Sequence, residues 1–275
     1  MTAIRRTAST ANGVVTLLTD FGRTDGFAGI MKGVMLRANP RVRLVDLTHE
    51  IPPQDVVAGA LVLRSAVPFF PRSTVHLAVV DPGVGGARRA LVVATRTALF
   101  VGPDNGLLLP AAQALGITGV RAIDVERLLK RKVLREPISR TFQGRDVFAP
   151  VAAWLSTGAA VSAVGPVVRD PVELHLPVGQ VQRNAIDGEV IYVDRFGNLI
   201  TNITGKQLAR FPTQRVSVSI GRVRIRGLST AYAAAPVELL AIVGSWGLLE
   251  IAARNASAAA RLSAARGTRV HVTVS

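Results

Sequence analysis

The stretch that most constrains the fold is VHLAVVDPGVGGARR, residues 75–89, in which an apolar run stops at an acidic, glycine-rich turn. The run, residues 75–80, has the length and the β-branched content of a buried strand. It ends at Asp81, and Arg88 follows across a loop short enough to fold back toward that carboxylate. Ligands of open α/β sheets bind at the carboxyl ends of the strands, so the turn is a candidate ligand site. The loop lacks the Lys-Ser/Thr of a P-loop and the G-x-G-x-x-G spacing, and taken alone it is more often a structural turn capped by Asp.

Strands and helices alternate through the first 160 residues. Short apolar strands are predicted at 14–19, 42–47, 75–80, 90–95, 98–101 and 120–124. Helices are predicted within 26–38, 55–70, 107–116 and 147–158. This alternation predicts an α/β fold whose N-terminal, mostly parallel sheet is flanked by helices on both faces.

The predicted secondary structure changes near residue 165, where a proline-rich stretch begins. Beyond it, strands predominate: a hairpin turning at Gly221, a strand at 237–243 and a final strand at 269–274. One helix is predicted, opening at Ser245 as N-cap and closing at Gly267. The predicted organisation is a flexible tail at 1–13, an α/β domain at 14–165, a linker at 166–182 and a smaller β-rich domain at 183–275.

Composition excludes several classes of function. The formal charge of +15 suggests nucleic acid, but the basic residues are scattered and aromatic residues are only 5%, so no stacking platform accompanies them. There are no cysteines, and the four histidines lack ligand spacing, so we expect no metal site. No apolar run is long enough for a membrane span, and no signal peptide is evident. We therefore expect a cytoplasmic protein with no membrane partner and no nucleic-acid partner.

Four apolar strands end in an acid followed by a turn. The acids are Asp20, Asp81, Asp104 and Asp194. Asp favours turns, so each one alone is unremarkable. Because the first three belong to one predicted sheet, they suggest carboxylates converging on a crevice, where a carboxylate can accept both hydroxyls of a ribose.

Seven motifs, in order along the chain, carry a resemblance to a known family. They are TDFG (19–22), DLTHEIPPQDV (46–56), HLAVVDPGVGG with the following RR (76–89), FVGPDNGLL (100–108), FQGRDVFAP (142–150), VDRFGNLITNI (193–203) and GSWGLLEIA (244–252). Together they resemble the S-adenosylmethionine hydroxide adenosyltransferases, which are S-adenosylmethionine hydrolases related to adenosyl chlorinases and fluorinases. The resemblance extends from about residue 14 to the C-terminus.

The resemblance implies a homotrimer whose ligand lies between the N-terminal domain of one subunit and the C-terminal domain of its neighbour. It implies that Asp20 binds the ribose hydroxyls and that Gln54 and Phe142 line the pocket for the sugar and the methionine. It further implies contacts with the methionine end and the adenine from Asp194, Phe196 and Asn198, and a contact with the methionine carboxylate from Ser245.

The resemblance also implies a catalytic set of Asp, Arg and His that positions the attacking water. Asp81 and Arg88 match the first two members, but Gln143 stands where the family pattern has His. Glutamine cannot take up a proton, yet its amide can still hold a water. The sulfonium leaves as a neutral thioether and needs no general acid, so orientation and desolvation of the nucleophile supply much of the acceleration. We therefore expect hydrolysis without any cofactor, catalysed by Asp81, Arg88 and Gln143 and weaker than with a histidine.

Two other functions stay open at this point. The first is adenosyl transfer to another small anion such as a halide, which the negative charge of Asp81 disfavours. The second is a non-catalytic protein that binds S-adenosylmethionine or adenosine, with Gln143 as the disabling change.

Overall fold

The computed structural model describes residues 11–234 and 238–274. The chain divides into two units at the boundary between Leu174 and His175, which lies inside the predicted linker. We call them unit 1 and unit 2. Residues 1–10 of the predicted tail and residue 237 of a predicted strand lie outside the described residues.

Unit 1 is built on a six-stranded sheet. Its strands are β1 (Val14–Thr19), β2 (Arg43–Thr48), β3 (Thr74–Val79), β4 (Ala90–Thr95), β5 (Ala98–Pro103) and β6 (Ile117–Ala122). Their order across the sheet is β2-β1-β3-β5-β4-β6. The pairs β2–β1, β1–β3 and β3–β5 are parallel, and β4 runs antiparallel to both of its neighbours. The prediction of a mostly parallel sheet is therefore confirmed.

Five helices accompany this sheet. They are α1 (Phe27–Ala38), α2 (Val56–Ala66), α3 (Leu109–Ala114), α4 (Val125–Lys130) and α5 (Ala149–Leu155). A π-helical turn, Gly144–Phe148, leads directly into α5. The main core lies where α1 and α5 pack against one side of β1 and β3, and it includes Leu17, Met31, Leu77, Phe148 and Val151. Removal of these side chains from water provides the main driving force for the unit.

Unit 2 is mainly antiparallel β-structure. Its strands are β7 (Gln180–Val181), β8 (Ala185–Val193), β9 (Leu199–Thr204), β10 (Val216–Ile220), β11 (Val223–Arg226), β12 (Leu239–Val243), β13 (Leu248–Ala253) and β14 (Arg269–Val274). The order is β11-β10-β14-β8-β9-β13-β12, with β7 beside β8. Two short helices, α6 (Gly205–Leu208) and α7 (Ala258–Leu262), complete the unit. The hairpin predicted at Gly221 is confirmed between β10 and β11.

The helix predicted to open at Ser245 is wrong. Ser245 lies in the turn that joins β12 to β13, and residues 248–253 form β13 between β9 and β12. Hydrogen bonds from strands on both sides outweigh the helix propensity of the alanines. The helix begins later, at Ala258, where the Ser257 side chain accepts a hydrogen bond from the backbone N–H of Ala260 at 3.1 Å.

In the described part of the chain, every helix falls short of the length and apolarity needed to cross a membrane.

Candidate active site

The two central parallel strands of unit 1 end side by side. β1 pairs with β3 so that Thr19 lies opposite Val79, which brings the following carboxylates, Asp20 and Asp81, to one edge of the sheet. Both line a cavity of about 350 Å³. Of the six site residues predicted in this unit, Asp20, Gln54, Asp81, Phe142 and Gln143 line the cavity. The sixth, Arg88, contacts two of these residues through its guanidinium group.

Asp81, Arg88 and Gln143 form one hydrogen-bonded cluster. Arg88 Nε lies 3.0 Å from each carboxylate oxygen of Asp81, and Arg88 Nη2 also donates to Asp81 Oδ2. The same Nη2 donates to Gln143 Oε1 at 2.6 Å. The side chains of Arg88 and Asp81 are only 12% and 5% exposed. Such a charge-assisted pair in a nearly dry setting holds its members in a defined orientation.

The contact with Arg88 fixes which end of the Gln143 amide faces the cavity. A guanidinium group only donates hydrogen bonds, so the atom next to it must be the amide oxygen. The two N–H donors of Gln143 therefore remain for another partner. The residue can donate to a water oxygen, whereas the neighbouring Asp81 carboxylate can accept a proton or a hydrogen bond.

The loop after β3 is shaped so that this cluster can form. Gly85 adopts a backbone φ of +74°, and a Cβ at this position would lie 2.4 Å from the carbonyl oxygen of Arg140. Arg140 Nη2 in turn donates to the Gly85 carbonyl at 3.2 Å. Glycine therefore allows the Asp81 loop and the segment leading to Gln143 to approach each other closely.

Asp20 is anchored to the start of α2. Its Oδ2 accepts a hydrogen bond of 2.8 Å from the backbone N–H of Gln54. Gln54 has a φ of +66°, an uncommon conformation for a residue with a side chain. The next residue, Asp55, caps α2 by accepting from the Ala58 N–H at 2.9 Å. The loop before α2 is thus held at two points, by the hydrogen bond from Gln54 to Asp20 and by the cap that Asp55 forms on the helix.

Three phenylalanine rings form an aromatic wall of the cavity. Phe142 meets Phe21 at 6.0 Å and Phe27 at 5.2 Å between ring centroids, and Phe21 meets Phe27 at 5.9 Å. All three contacts are edge-to-face, the arrangement that aromatic quadrupoles favour. Only Phe142 was predicted for the site. Phe21 belongs to the TDFG motif and Phe27 follows Gly26, and nothing in their spacing marks them as neighbours of Phe142.

A polar network that runs from the buried Thr19 and His49 to the surface residues Asp46 and Lys32 was also missed. Thr19 Oγ1 lies 2.8 Å from His49 Nδ1, and His49 Nε2 lies 3.1 Å from Asp46 Oδ1. Lys32 Nζ donates to Asp46 Oδ2 at 2.6 Å. Burial works against ionisation of Asp46, but the hydrogen bonds from Lys32 and His49 outweigh it, so the pKa of this carboxyl lies below its usual value. The network braces Thr19, the residue that precedes Asp20.

The third strand-end acid does not join the cavity. Asp104 accepts from Arg89 Nε at 2.6 Å and from the backbone N–H of Val172 at 2.8 Å. Arg89 also donates to the side chain and the carbonyl of Asp170. The expected convergence of all the acids on one crevice is therefore wrong for Asp104, whose carboxylate ties residues 170–172 to the end of β5.

His76 is a structural residue of the sheet. Its Nδ1 lies 2.8 Å from Thr16 Oγ1, and its ring lies between Phe70 and Phe100. Burial lowers the pKa of His76 to about 4, so the ring is neutral at physiological pH.

The remaining four predicted residues belong to unit 2. The Asp194 carboxylate organises the turn after β8 by accepting from the backbone N–H groups of Phe196 and Asn198 and from the Asn198 side chain, all at 2.9 Å. Phe196 is 78% exposed. Ser245 is exposed in the β12–β13 turn.

Glu250 of β13 is a further buried acid beside these turns. Its Oε1 accepts a hydrogen bond of 2.7 Å from the Tyr232 hydroxyl. Burial, together with the charge of Asp194, raises the pKa of Glu250. Burial and the Glu250 carboxylate raise the pKa of Tyr232 to about 12. The one signal for this residue is a charged side chain inside the apolar strand LLEIAA.

Among residues 11–234 and 238–274, no three His, Asp or Glu side chains are grouped so as to hold a metal ion.

Comparison of the sequence with known families and proteins identifies relatives of this chain. A profile of the SAM hydroxide adenosyltransferase N-terminal domain matches residues 15–165, and that of the C-terminal domain matches residues 188–271. A protein of Salinispora tropica named (R)-S-adenosyl-L-methionine hydrolase is 45% identical over 94% of this chain and 97% of its own length. One of the same name from Thermus thermophilus is 38% identical over 94% and 98%. A fluorinase of an Actinoplanes species is 27% identical over 70% and 72%.

Structure comparison agrees. An uncharacterized conserved protein from Thermotoga maritima matches with a TM-score of 0.87 at 35% identity, over 94% of this chain and 99% of its own. A conserved hypothetical protein from Thermus thermophilus matches with a TM-score of 0.74 at 36% identity, over 94% and 98%. The expected fold class is confirmed.

Proposed function

This chain belongs to the SAM hydroxide adenosyltransferase family, and we propose that it hydrolyses S-adenosyl-L-methionine to adenosine and L-methionine. The observation that carries the proposal is the Asp81–Arg88–Gln143 cluster beside the cavity that Asp20 also lines. The cluster offers an acceptor and a donor for one water, and Asp20 offers a carboxylate for a ribose. Relatives at 38–45% identity are named hydrolases of the (R) form, so we propose that form as the preferred substrate.

The reaction we propose is an in-line displacement at the ribose C5′. A water oxygen accepts a hydrogen bond from the Gln143 amide, and the water donates a hydrogen bond to Asp81. The second lone pair of the water oxygen then remains free to attack C5′. The O–C5′ bond forms as the C5′–S bond breaks, and the bonding electron pair passes to sulfur to give the neutral thioether of methionine. The water proton goes to Asp81, and Arg88 keeps that carboxylate in place.

The charges of the site suit this substrate. Asp20 and the Asp81–Arg88 pair together carry a net negative charge at the cavity, which favours a sulfonium cation over a halide anion. A thioether leaving group needs no proton and no Lewis acid. We therefore propose catalysis without a metal or another cofactor, and hydrolysis rather than halide transfer.

We also propose that unit 2 completes the site in a homotrimer, as the family resemblance implies. The turn residues Asp194, Phe196, Asn198 and Ser245 of one copy would contact the methionine end and the adenine held in unit 1 of a neighbouring copy. The Asp194 carboxylate offers negative charge to the ammonium group of methionine. Exposed apolar side chains support association, since Phe27 on unit 1 and Phe196 on unit 2 are 44% and 78% exposed.

We propose a cytoplasmic location, because a permanently charged sulfonium does not cross a lipid bilayer unaided. Fractionation of cells that produce the protein tests this proposal, and recovery in the culture medium would contradict it.

The decisive experiment incubates the purified chain with each sulfonium epimer of S-adenosylmethionine, with and without EDTA and with and without halide, and identifies the products by mass spectrometry. We expect adenosine and methionine whether or not EDTA or halide is present, with faster turnover of the (R) epimer. A 5′-haloadenosine would identify a transferase, intact bound ligand would identify a binding protein, and loss of turnover in EDTA would refute metal-independent catalysis.

A further inference from the structure

A second cavity of unit 1, of about 660 Å³, is strongly basic. It lies between the C-terminal half of α1, the segment 131–137 that follows α4, and one side of α5. Five cationic side chains line it: Arg37, Arg131, Lys132, Arg135 and Arg145. The indole of Trp154 also belongs to its lining. We call this cavity the basic groove.

Most of the positive charge of the basic groove is unneutralised. Arg145 is paired with Asp146, with N–O distances of 2.7 and 2.8 Å. The other four cationic side chains make no hydrogen bond or ion pair with any residue in the described ranges 11–234 and 238–274. Glu136 is the one further acid in the lining. Cations gathered without partners repel one another, so the groove attracts an anion.

The residue types indicate which anion fits. Guanidinium groups bind phosphate oxygens through two parallel hydrogen bonds, and three of the four unpaired side chains are arginines. An indole offers a flat face on which a planar ring stacks, and stacking also tolerates different rings. The volume lies within the range of ordinary small-molecule sites.

We propose that the basic groove is a binding site for a nucleoside polyphosphate. Its phosphates contact Arg131, Lys132 and Arg135, and its base packs on Trp154. This site is separate from the proposed hydrolase site, and its occupancy is measured without any turnover.

The groove also touches the wall of the active site. The Arg145 guanidinium carbon lies 5.3 Å from the centroid of the Phe142 ring, and Phe142 lines the catalytic cavity. A phosphate that draws Arg145 away changes the packing of that ring. We therefore expect ligand in the groove to shift the KM for S-adenosylmethionine at least twofold, and an unchanged KM with the groove saturated would refute this coupling.

Tryptophan fluorescence reports binding directly, because the chain has only Trp154 and Trp246. In a Trp246→Phe background the signal comes from Trp154 alone. Titration with ATP should quench it saturably, and inorganic tripolyphosphate should bind at least fivefold more weakly because it has no ring to stack.

A matched pair of double variants tests the location. We expect Arg131→Ala with Arg135→Ala to weaken ATP binding at least tenfold, whereas Arg222→Ala with Arg224→Ala, which removes the same charge from an exposed hairpin, should change it less than twofold. Circular dichroism checks that both variants fold. Equal weakening by both pairs, ATP binding unaffected by the first pair, or tighter binding of an RNA oligonucleotide than of ATP would overturn the proposal.

Discussion

At the scale of single residues, position 143 carries an amide where a proton acceptor is expected from the family pattern. Arg88 holds the amide oxygen at 2.6 Å, so the group that faces the cavity is a donor. In the proposed mechanism this amide can still orient a water, but proton removal falls to Asp81 alone. The chain should therefore be an active hydrolase that is slower than its histidine-containing counterpart.

We expect Gln143→His to raise kcat by about tenfold or more, because an imidazole adds general-base catalysis. The variant should gain activity as the pH rises through the histidine pKa, near 6.5 in an unperturbed group. The measurement is kcat against pH for the variant and the parent. A variant no faster than the parent at any pH would show that the missing imidazole is not limiting.

Two strand-end acids with adjacent arginine partners allow a matched comparison. Asp81→Asn removes the proposed base and should lower kcat by about 10²–10⁴-fold. Asp104→Asn breaks the pair with Arg89 away from the cavity and should lower the free energy of unfolding by about 1–3 kcal/mol with kcat nearly unchanged. Steady-state kinetics and denaturant unfolding of both variants separate the two roles, and an equal loss of kcat would contradict the assignment.

At the scale of elements, the loop after β3 depends on the close approach at Gly85. Gly85→Ala places a methyl group 2.4 Å from the Arg140 carbonyl, so the segment that carries Gln143 must move. We expect kcat to fall by roughly 10²-fold and the free energy of unfolding by roughly 1–3 kcal/mol.

The control is Gly221→Ala, which has a similar positive φ of +56° but meets no atom within 4 Å. It should cost about 1 kcal/mol of stability through backbone strain and leave kcat unchanged. If both alanine variants retained full activity, the Gly85 contact would not position the cluster.

The strand β3 contains a buried titratable group at its centre. His76 has a pKa of about 4 in the fold, whereas an unfolded histidine takes up a proton near pH 6.5. The unfolded state therefore binds more protons between these values, and stability should fall by roughly 3 kcal/mol as the pH drops from 6.5 to 4.

His76→Phe should flatten this decline, as measured by urea unfolding at several pH values. Thr16→Val, which removes the hydrogen-bond partner but keeps the imidazole, should preserve the slope. A wild-type stability that is constant across this window would contradict the prediction.

Elements of unit 1 were predictable because strand, turn and helix signals agreed there. At β13 they conflicted: an alanine-rich run suggested a helix, and only pairing with β9 and β12 decides for a strand. The network of Lys32, Asp46 and His49 was unpredictable for another reason. Its members lie on α1, at β2 and beyond β2, and only the packing of these elements brings them together.

At the scale of the whole molecule, the proposed sharing of the site between copies predicts complementation. Asp81→Asn disables unit 1 of the proposed site, and Asp194→Ala disables unit 2. Each variant alone should be nearly inactive. When equal amounts of the two variants assemble at random into the proposed trimers, about a quarter of all sites combine an intact unit 1 with an intact neighbouring unit 2, so activity should return to about a quarter of wild type.

The measurement is the hydrolase rate after the two variants are co-expressed or are mixed under mild dissociating conditions. A mixture no more active than the sum of its parts, although it forms mixed oligomers, would place both halves of each site in one copy.

The consecutive residues Arg88 and Arg89 form ion pairs with two different acids. Arg88 pairs with Asp81 at the end of β3, and Arg89 pairs with Asp104 at the end of β5. A slip of one residue in either direction would leave one of the two buried acids facing an alanine, Asp81 facing Ala87 or Asp104 facing Ala90. We therefore expect the loop between Pro82 and Ala87 not to tolerate single-residue insertions or deletions. It lies at the surface, where changes of loop length are usually tolerated. Natural variation there is expected to take the form of substitutions at constant length.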